Sequence, residues 1–553
     1  MSQIIRERSA PLQQFTGGLN NYWDQSAIAD NELASVINLE FSTTGALVSR
    51  PSIWLETDSS ELPITTPMVN EPIDIIGSYV RQDGVRFIVV VTDDKTWVYN
   101  ISAKTWTQIA TFRASDCTQY LNKIVLCSET QAGGYWEAGT FTSTPTMPYL
   151  GGIELFQTRF FGFGVQGSPT ANIMYWSNIS TAGPSGTSTS VWNWEDEFGA
   201  KLYSEIGGGD GQWITALAQG YNDIVIFRNR STYRYSYGEL PEEGTMQAMQ
   251  QDIGAESARC VVKFENAHYV LSGGVLYKYQ NWIFYPLNAQ KVKFEESSLV
   301  EHRLERAISL VGRRCYVWFK GSVYVYNMDT ETWAEWQSDT KVAYFVTVAR
   351  QNEDPNQDLF FGISGSPDED VIAGDYAVYR IEGRTGGTSK AENIRCSIRT
   401  KIYDFNTPVE WKRLYFWAVD ITTALPFEAR AYPVFIPSTP PLVNWDELSK
   451  DYELEGTFKT WGALSKDAID DNVFVTYDNM GDASGAVSSY INDFLAPDGP
   501  VRMEAKLQQS LRFRRLYFEL YLDCDGTAAT SPVQVFSIIP MVGAKAKVSK
   551  EAN

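Results

Sequence analysis

Histidine is scarce in this chain of 553 residues, which contains two, His268 and His302. Neither lies next to a serine, cysteine or carboxylate in a catalytic motif, and the sequence contains no GxSxG, HExxH or EF-hand pattern. His268 lies in a strand-like segment, where an isolated histidine is more often packed or hydrogen-bonded than catalytic. The sequence therefore predicts no enzyme, no catalytic residues and no cofactor.

Cysteine pairs and long apolar runs are absent as well. The cysteines are scattered singly with no CxxC pair, which is typical of small buried hydrophobic residues rather than of a zinc site; they are Cys117, Cys127, Cys260, Cys315, Cys396 and Cys524. A long purely apolar run, residues 87–91, has the length of a strand and is too short to cross a bilayer. Because the N-terminus lacks an apolar signal core, we expect assembly in the cytoplasm and no membrane insertion.

Basic residues are fewer than acidic ones. Lys and Arg total 46 and Asp and Glu total 67, which gives a net charge of −21. This balance argues against a surface that grips nucleic-acid phosphates, because such a surface needs clustered positive charge. It is compatible with a protein past which DNA moves without being held, and equally with acidity that serves solubility alone.

Aromatic residues, in contrast, are abundant, with 17 Trp, 30 Tyr and 28 Phe. Aromatic side chains favour half-buried pleated surfaces and also anchor interfaces. Short β-branched or aromatic segments bounded by Gly, Asn, Asp or Ser recur along the chain, which indicates an all-β protein. At this length we expect two or three domains.

An internal repeat predicts the architecture of the central region. Residues 97–100 (WVYN) are followed by Trp106, and residues 324–327 (YVYN) are followed by Trp333, with the same Tyr-to-Trp spacing. Weaker copies occur at residues 231–235 and 275–282. This pattern predicts a β-propeller over residues 61–390, with about seven blades and six to eight allowed by the region's length. Trp106 and Trp333 are expected at equivalent, buried positions; a tandem of β-sandwiches is the alternative fold.

A second repeat and the chain's beginning mark two further regions. The tetrapeptide RLYF occurs at residues 413–416 and 515–518. It predicts paired strands of a β-sandwich-like domain over residues 391–553, with a Pro-rich insertion near residues 431–505. Residues 1–60 are interpreted as an N-terminal arm containing a short helix at residues 31–38, capped by Asp30.

The order of several short motifs carries a family resemblance. The string at residues 15–20 (FTGGLN), 28–34 (IADNELA), Asn38 and 45–51 (GALVSRP) resembles the start of hub or nozzle proteins of short-tailed bacteriophages, the tail tubular protein B-like family. Motifs that continue this resemblance are found at residues 159–162, 174–177, 210–217 and 224–227. Together they extend over residues 15 to about 280.

The resemblance implies a structural virion protein of the phage tail. Members form a ring, expected here to be a homohexamer, below the portal and its adaptor, and they extend the channel for DNA ejection. The N-terminal arm would then contact the adaptor, and tail fibres or tip proteins would be further partners, with DNA only in transit. No catalytic residue is implied.

Two sets of residues are candidates for roles in such a ring. For subunit contacts they are Trp192, Trp194 and Trp213. For an acidic channel wall, which would repel DNA toward the axis, they are Glu195, Asp196, Glu197, Glu242, Glu243, Asp368, Glu369 and Asp370. Each acidic run could equally face solvent.

Two other classes of function remain open. One is a carbohydrate-binding or hydrolysing propeller involved in receptor recognition, which would need an aromatic platform and paired carboxylates on one face. Its hydrolytic form is disfavoured because Lys95 stands where the Asp-box turn of sialidase propellers has glycine. The other class is a kelch-type scaffold that binds peptides through its loops.

Overall fold

The computed structural model describes the chain in segments. These are residues 7–9, 12–13, 15–43, 45–50, 53–55, 74–179, 181–182, 188–196, 198–238, 241–294, 306–319, 322–337, 346–348, 359–364, 377–381, 394–403, 405, 412–422, 427–434, 458–461, 501–513, 515–524 and 534–544.

Strands dominate these segments, as the sequence predicts. The N-terminal strands are β1 (Glu7–Ser9), β2 (Leu12–Gln13), β3 (Gly18–Leu19), β4 (Glu32–Ile37), β5 (Leu39–Phe41), β6 (Leu47–Ser49) and β7 (Ile53–Leu55). Within the described residues the helical segments are two 3-10 turns, Pro241–Glu243 and Ala258–Cys260. No helix in this part of the chain is long and apolar enough to cross a membrane.

The central region forms blades of four antiparallel strands. Blades 1 and 2 consist of β8 (Asp74–Val80), β9 (Arg86–Val91), β10 (Thr96–Asn100), β11 (Thr105–Ala110), β12 (Asp116–Tyr120), β13 (Lys123–Cys127), β14 (Gly134–Glu137) and β15 (Thr140–Ser143). Blade 3 contains β16 (Gly152–Phe156), β17 (Arg159–Phe163), β18 (Ile173–Trp176), a separate hairpin of β19 (Thr181–Ala182) and β20 (Ser188–Thr189), and its fourth strand β21 (Tyr203–Glu205).

The remaining blades repeat this pattern. Blades 4 and 5 consist of β22 (Ile214–Gln219), β23 (Ile224–Arg228), β24 (Thr232–Ser236), β25 (Thr245–Gln250), β26 (Val261–Phe264), β27 (Ala267–Ser272), β28 (Val275–Gln280) and β29 (Ile283–Pro286). Blades 6 and 7 consist of β30 (Ala307–Val311), β31 (Arg314–Phe319), β32 (Ser322–Asn327), β33 (Thr332–Gln337), β34 (Val346–Val348), β35 (Leu359–Ser364) and β36 (Ala377–Ile381), with β7 as the fourth strand of blade 7.

The first strands of the blades form a closed ring. Each contacts the next in the order β8, β12, β16, β22, β26, β30 and β34, and β34 contacts β8 again. The described strands therefore form a seven-bladed β-propeller, and the sequence-based prediction of this fold is confirmed. A strand from the N-terminal region completes it, since β7 pairs antiparallel with β36.

The propeller core lies between neighbouring blades. In β13, Ile124 and Leu126 pack toward blade 1, whereas Val125 and Cys127 pack toward blade 3. Side chains in a strand alternate between the two faces, and both faces of a blade are covered by its neighbours. This explains why the inner strands are continuously apolar rather than alternating with polar residues.

The repeats that predicted the propeller all belong to one structural position. The two sharp copies are β10 and β32, and the two weaker ones fall on β24 and β28; all four are third strands of their blades. In the turns that follow the sharp copies, Lys104 and Glu331 both adopt a left-handed backbone with φ of 55°. The repeat therefore records one hairpin, formed by the third and fourth strands.

A second, sandwich-like β domain joins C-terminal and N-terminal strands. Its C-terminal strands are β37 (Ile394–Thr400), β38 (Lys412–Thr422), β39 (Phe427–Val434), β40 (Phe458–Trp461), β41 (Val501–Phe513), β42 (Arg515–Cys524) and β43 (Gln534–Ala544). One sheet has the order β41-β38-β43-β6-β5, with β1 and β2 also paired to β43. The other continues from blade 6 in the order β33-β4-β37-β42-β39-β40. The two RLYF repeats lie in β38 and β42, one in each sheet.

The helix predicted at residues 31–38 is wrong, because residues 32–37 form strand β4. β4 lies between β33 and β37 and buries Leu33 and Val36. Pairing with strands distant in sequence overrides the local helical pattern. Asp30 does not cap a helix; it forms an ion pair with Lys401 at 2.6 Å.

Candidate functional site

The first strands of blades 1 to 5 line a cavity of about 290 Å³ at the centre of the propeller. Its walls run from Ile76 on β8 to Lys263 on β26 and include the carboxylates of Asp116 and Glu154. Ligand sites are concave and carry a few convergent polar groups, and this cavity has both features.

The pKa values of both carboxyl groups of this cavity are raised. Burial raises the pKa of Glu154 to about 8, and the charge of Asp116 adds to the effect while Lys263 opposes it. Burial likewise raises the pKa of Asp116 to about 6, against the hydrogen bonds donated by the backbone amides of Ile153 and Cys117. Asp116 thus joins the first strands of blades 2 and 3, with the Ile153 amide 3.0 Å from its carboxylate.

Of the two basic residues that line this cavity, Arg259 and Lys263, Arg259 is paired with an acid. Arg259 forms an ion pair with Asp74, and Arg113 lies 3.7 Å from the same carboxylate. The cavity therefore combines the ion-paired Arg259 with the Glu154 carboxyl, which holds its proton near neutral pH, and the Asp116 carboxyl, which is mostly ionised there. This combination suits proton storage and links between blades.

His268 lies on β27 and is buried, as the sequence predicts. Its Nε2 atom is 3.0 Å from the backbone oxygen of Gln219, and burial lowers its pKa. His302 lies outside the described residues.

The cysteines behave as predicted where the structure describes their side chains. Four of the five described thiols are buried, Cys117 is half-buried, and all five are unbonded to one another. Burial raises the pKa of the Cys260 thiol to about 11, so it remains protonated and inert at neutral pH. Among the described residues, no group of three or more His, Cys, Asp or Glu side chains could hold a metal ion.

The motif residues near the N-terminus meet where blade 6 joins the second domain. The side-chain oxygen of Asn38 accepts hydrogen bonds from the Arg50 side chain and the Gln337 backbone, each at 2.8 Å. Its side-chain amide donates to the backbone oxygen of Arg395 on β37, also at 2.8 Å. Asn38 has a left-handed φ of 60°, a conformation that asparagine tolerates better than most residues. One side chain therefore joins blade 6, the N-terminal strands and β37.

A second buried polar group ties the same segment to blade 5. The Asn20 side chain donates to Glu32 at 2.8 Å, and Glu32 also forms an ion pair with Lys291. The side chain of Glu32 is 7% exposed, so the charge is compensated inside the protein. The Asn and Glu positions of the N-terminal string are thus structural residues.

Trp106 and Trp333 occupy equivalent positions, as predicted. Trp106 pairs with Tyr99 across blade 1, and Trp333 pairs with Tyr326 across blade 6. The ring centroids are 4.9 Å and 5.1 Å apart, with interplanar angles of 41° and 42°. Trp333 is 1% exposed, but Trp106 is only half-buried. The difference arises because Leu19 and Phe294 pack in the core that covers Trp333.

The three tryptophans proposed for subunit contacts differ in accessibility. Trp194 is completely buried in the core between blades 2 and 3, so its side chain packs within its own chain. Trp192 is half-buried in the same seam, with its ring centroid 4.3 Å from that of Tyr135. Trp213 is also half-buried. Trp192 and Trp213 remain candidates for a subunit contact.

Four of the predicted acidic residues lie in equivalent connections of two adjacent blades. Glu195 and Asp196 belong to the link between the third and fourth strands of blade 3, and Glu242 and Glu243 to that of blade 4. Glu195 forms an ion pair with Lys201 at 2.7 Å. Asp196 accepts hydrogen bonds from two backbone amides of its own turn, and Glu242 accepts one from the Trp176 indole. Glu197, Asp368, Glu369 and Asp370 lie outside the described residues.

Comparison with known proteins adds the following similarities. No family model and no curated protein matches the chain. Among solved structures, the computationally designed Ika8 protein is 13% identical, with 57% of this chain and 98% of that one covered and a TM-score of 0.33. YCF48 from Cyanidioschyzon merolae is 11% identical, with 58% and 98% covered and a TM-score of 0.35. The WD40 β-propeller domain of Doa1 is 6% identical, with 60% and 97% covered and a TM-score of 0.37.

The closed ring of seven blades decides the fold. The chain contains a β-propeller. Sequence reasoning missed the cavity carboxylates of this propeller, Asp116 and Glu154. A usable signal was present for Glu154, which stands between Ile153 and Leu155 in the otherwise apolar strand β16, whereas Asp116 begins the mostly polar strand β12 and gave no such signal. An acidic residue in such a strand faces either the central space or a neighbouring blade.

Proposed function

We propose that this chain is a structural protein of a bacteriophage tail, which forms a homohexameric ring below the portal and adaptor and extends the DNA ejection channel. The observation that carries the proposal is the ordered string of motifs at residues 15–51, 159–162, 174–177, 210–217 and 224–227, which resembles the hub or nozzle family.

The structure explains why the N-terminal string contains the polar residues Asn20, Glu32, Asn38 and Arg50. These residues are buried and polar, and they hold the propeller and the second domain in one arrangement. A ring subunit that transmits force during DNA ejection requires such a fixed junction. Because the residues of the string have structural roles, the string supports the resemblance to the hub or nozzle family better than a match of composition alone would.

The charge of the chain is also in keeping with the proposal. A net charge of −21 suits a wall past which DNA moves, because like charges repel the duplex and leave no phosphate bound. Glu242 and Glu243 are exposed and lie in the same kind of connection as Glu195 and Asp196. These residues are our candidates for the channel wall.

Negative-stain imaging and native mass spectrometry of the purified protein test this proposal. We expect rings with a central hole, either from the protein alone or after incubation with portal–adaptor complexes. Trp213→Ala should reduce ring formation if this half-buried side chain lies at the subunit contact, whereas Tyr285→Ser, at an exposed aromatic, serves as the matched control. A protein that remains monomeric under both conditions would refute the proposal.

A further inference from the structure

A second cavity, of about 710 Å³, lies between blades 4 and 5. Three tight turns border it: the turn between β22 and β23, the turn between β26 and β27, and the turn between β28 and β29. We call this space the 4/5 groove. It is distinct from the central cavity, although Gln219 and Lys263 line both.

The turn between β28 and β29 places a tryptophan where glycine is favoured. Gln280 pairs with Ile283, so Asn281 and Trp282 alone form the turn, with φ of 51° and 68°. Such a two-residue turn requires positive φ at both positions and favours Asn-Gly. A bulky residue in this conformation is a genuine outlier, and such outliers concentrate at functional sites.

Blade 2 provides an internal comparison for this turn. There, Glu137 pairs with Thr140 and the turn is Ala138–Gly139, with glycine at the second position and φ of 92°. The same hairpin in blade 5 carries Trp282, whose side chain is nevertheless 54% exposed. The tryptophan is therefore not explained by burial in the fold.

Two aromatic side chains offer exposed surface to the 4/5 groove. The Arg234 guanidinium lies 4.4 Å from the centroid of the Trp282 ring, which fixes the ring by a cation–π contact. Arg234 is itself held by an ion pair with Asp223. Tyr221, from the turn of blade 4, is 89% exposed and lines the same groove.

The polar groups of the groove are mostly neutral or paired. Asn222, Asn266 and Gln280 supply side-chain amides, which both donate and accept hydrogen bonds. Glu265 forms an ion pair with Arg313 at 2.9 Å, in addition to the pair of Arg234 and Asp223. Lys263 is the one charged side chain of the groove without an ion pair among the described residues, so most of the charge at this site is compensated.

Tyr279 forms part of the wall of the groove. It is 4% exposed, and its hydroxyl has no hydrogen-bond partner within the described part of the chain. Burial raises the pKa of Tyr279 to about 12, so the hydroxyl remains a donor at neutral pH. Because this hydroxyl has almost no solvent-accessible surface, it is not available to a ligand in the groove.

We propose that the 4/5 groove binds a neutral oligosaccharide of hexopyranose units. The apolar C–H faces of the sugar rings would stack on Trp282 and Tyr221, and the sugar hydroxyls would bond to the amide side chains of the groove. A basic peptide fits less well, because Arg234 already occupies the cation–π position on Trp282. The inference stands on this groove alone and does not depend on ring formation.

An array of neutral oligosaccharides of glucose, galactose, mannose and their N-acetylated forms tests the proposal, followed by calorimetric titration with the best-bound sugar. We expect saturable binding by the full chain. Trp282→Gly should weaken it by about tenfold or more, as the loss of an aromatic anchor does, and Tyr221→Ala should weaken it as well. Trp282→Tyr, which retains an aromatic face, should keep part of the affinity.

Two controls separate loss of the site from loss of the fold. Because the left-handed turn favours glycine, Trp282→Gly should melt within a few degrees of the parent. Phe198→Ala removes an aromatic that is 86% exposed and does not line the groove, so it should leave binding unchanged. Absence of binding to every sugar of the array would overturn the proposal. So would a folded Trp282→Gly that binds like the parent, or binding of an Arg- and Lys-rich peptide in preference to any sugar.

Discussion

Trp106 and Trp333 form a matched pair that differs in burial and in the hydrogen bond of the indole N–H. Both stack on a tyrosine across the same hairpin, at nearly the same distance and angle. Trp333 is 1% exposed and its indole N–H donates to the backbone oxygen of Leu287 at 3.3 Å. Removing a fully buried tryptophan costs about 3–5 kcal/mol, so Trp333→Ala should destabilise its blade by that amount.

Trp106→Ala should cost much less. Half the burial corresponds to roughly 1.5–2.5 kcal/mol of lost packing. The indole N–H of Trp106 is buried without a hydrogen-bond partner within the described residues, and removing an unsatisfied donor returns about 1 kcal/mol or more. We therefore expect a net loss of about 1 kcal/mol, well below that for Trp333.

Hydrogen exchange followed by mass spectrometry measures this difference locally. A chain of 553 residues need not unfold in one transition, so the exchange of peptides covering β11 and β33 is more informative than a single melting temperature. We expect a large loss of protection in β33 of Trp333→Ala and a small one in β11 of Trp106→Ala. Equal losses in both variants would refute the reasoning, since they would mean that the cover provided by Leu19 and Phe294 contributes nothing.

Two further variants test the central cavity and the junction. Because the pKa of Glu154 is raised to about 8, the stability that this residue contributes is present below its ordinary pKa of 4.5 and is lost as the pH rises through 8. Glu154→Gln should therefore raise the melting temperature relative to the parent more at pH 9 than at pH 5. The exposed Glu243→Gln should give the same small difference at both pH values, and an identical response of the two variants would contradict the assignment. Asn38→Ala removes one buried and two partly buried hydrogen bonds and keeps a left-handed φ, so it should destabilise the junction by about 2–4 kcal/mol in a denaturant titration. Asn38→Gly relieves only the backbone strain and should be milder by about 1 kcal/mol. A Gly variant as damaged as the Ala variant would argue against strain at this position.

The features that could be predicted from the sequence are those that depend on residue spacing within a single hairpin. The Tyr-to-Trp spacing repeats because each blade rebuilds the same third and fourth strands, so local spacing was enough to predict the propeller and the equivalence of Trp106 with Trp333. Strand β4 was mistaken for a helix because its identity depends on β33 and β37, which are far away in the chain. The closing strand β7 escaped prediction for the same reason.

The candidate sites were harder to predict than the fold. Asp116 and Glu154 come together only when five first strands surround one space, and sequence spacing does not encode that arrangement. Trp282 appeared in the sequence as the end of a weak repeat, and its meaning depends on a backbone angle. Trp194 was predicted at a subunit contact but lies in the core. The sequence does not show whether an aromatic residue lies at a surface or in a core.

The position of β7 imposes an order on folding during synthesis. β7 is made before any complete blade, whereas its neighbour β36 is made after the strands of the other six. In the same way, β4 and β6 are synthesised long before their partner strands β37 and β43. Until then these early strands have unpaired edges, which are prone to associate with other chains. Closure of the ring and completion of the second domain are therefore late events that depend on long-range pairing, a slow class of folding step. A nascent chain halted before residue 377 would hold an open propeller that requires protection by chaperones.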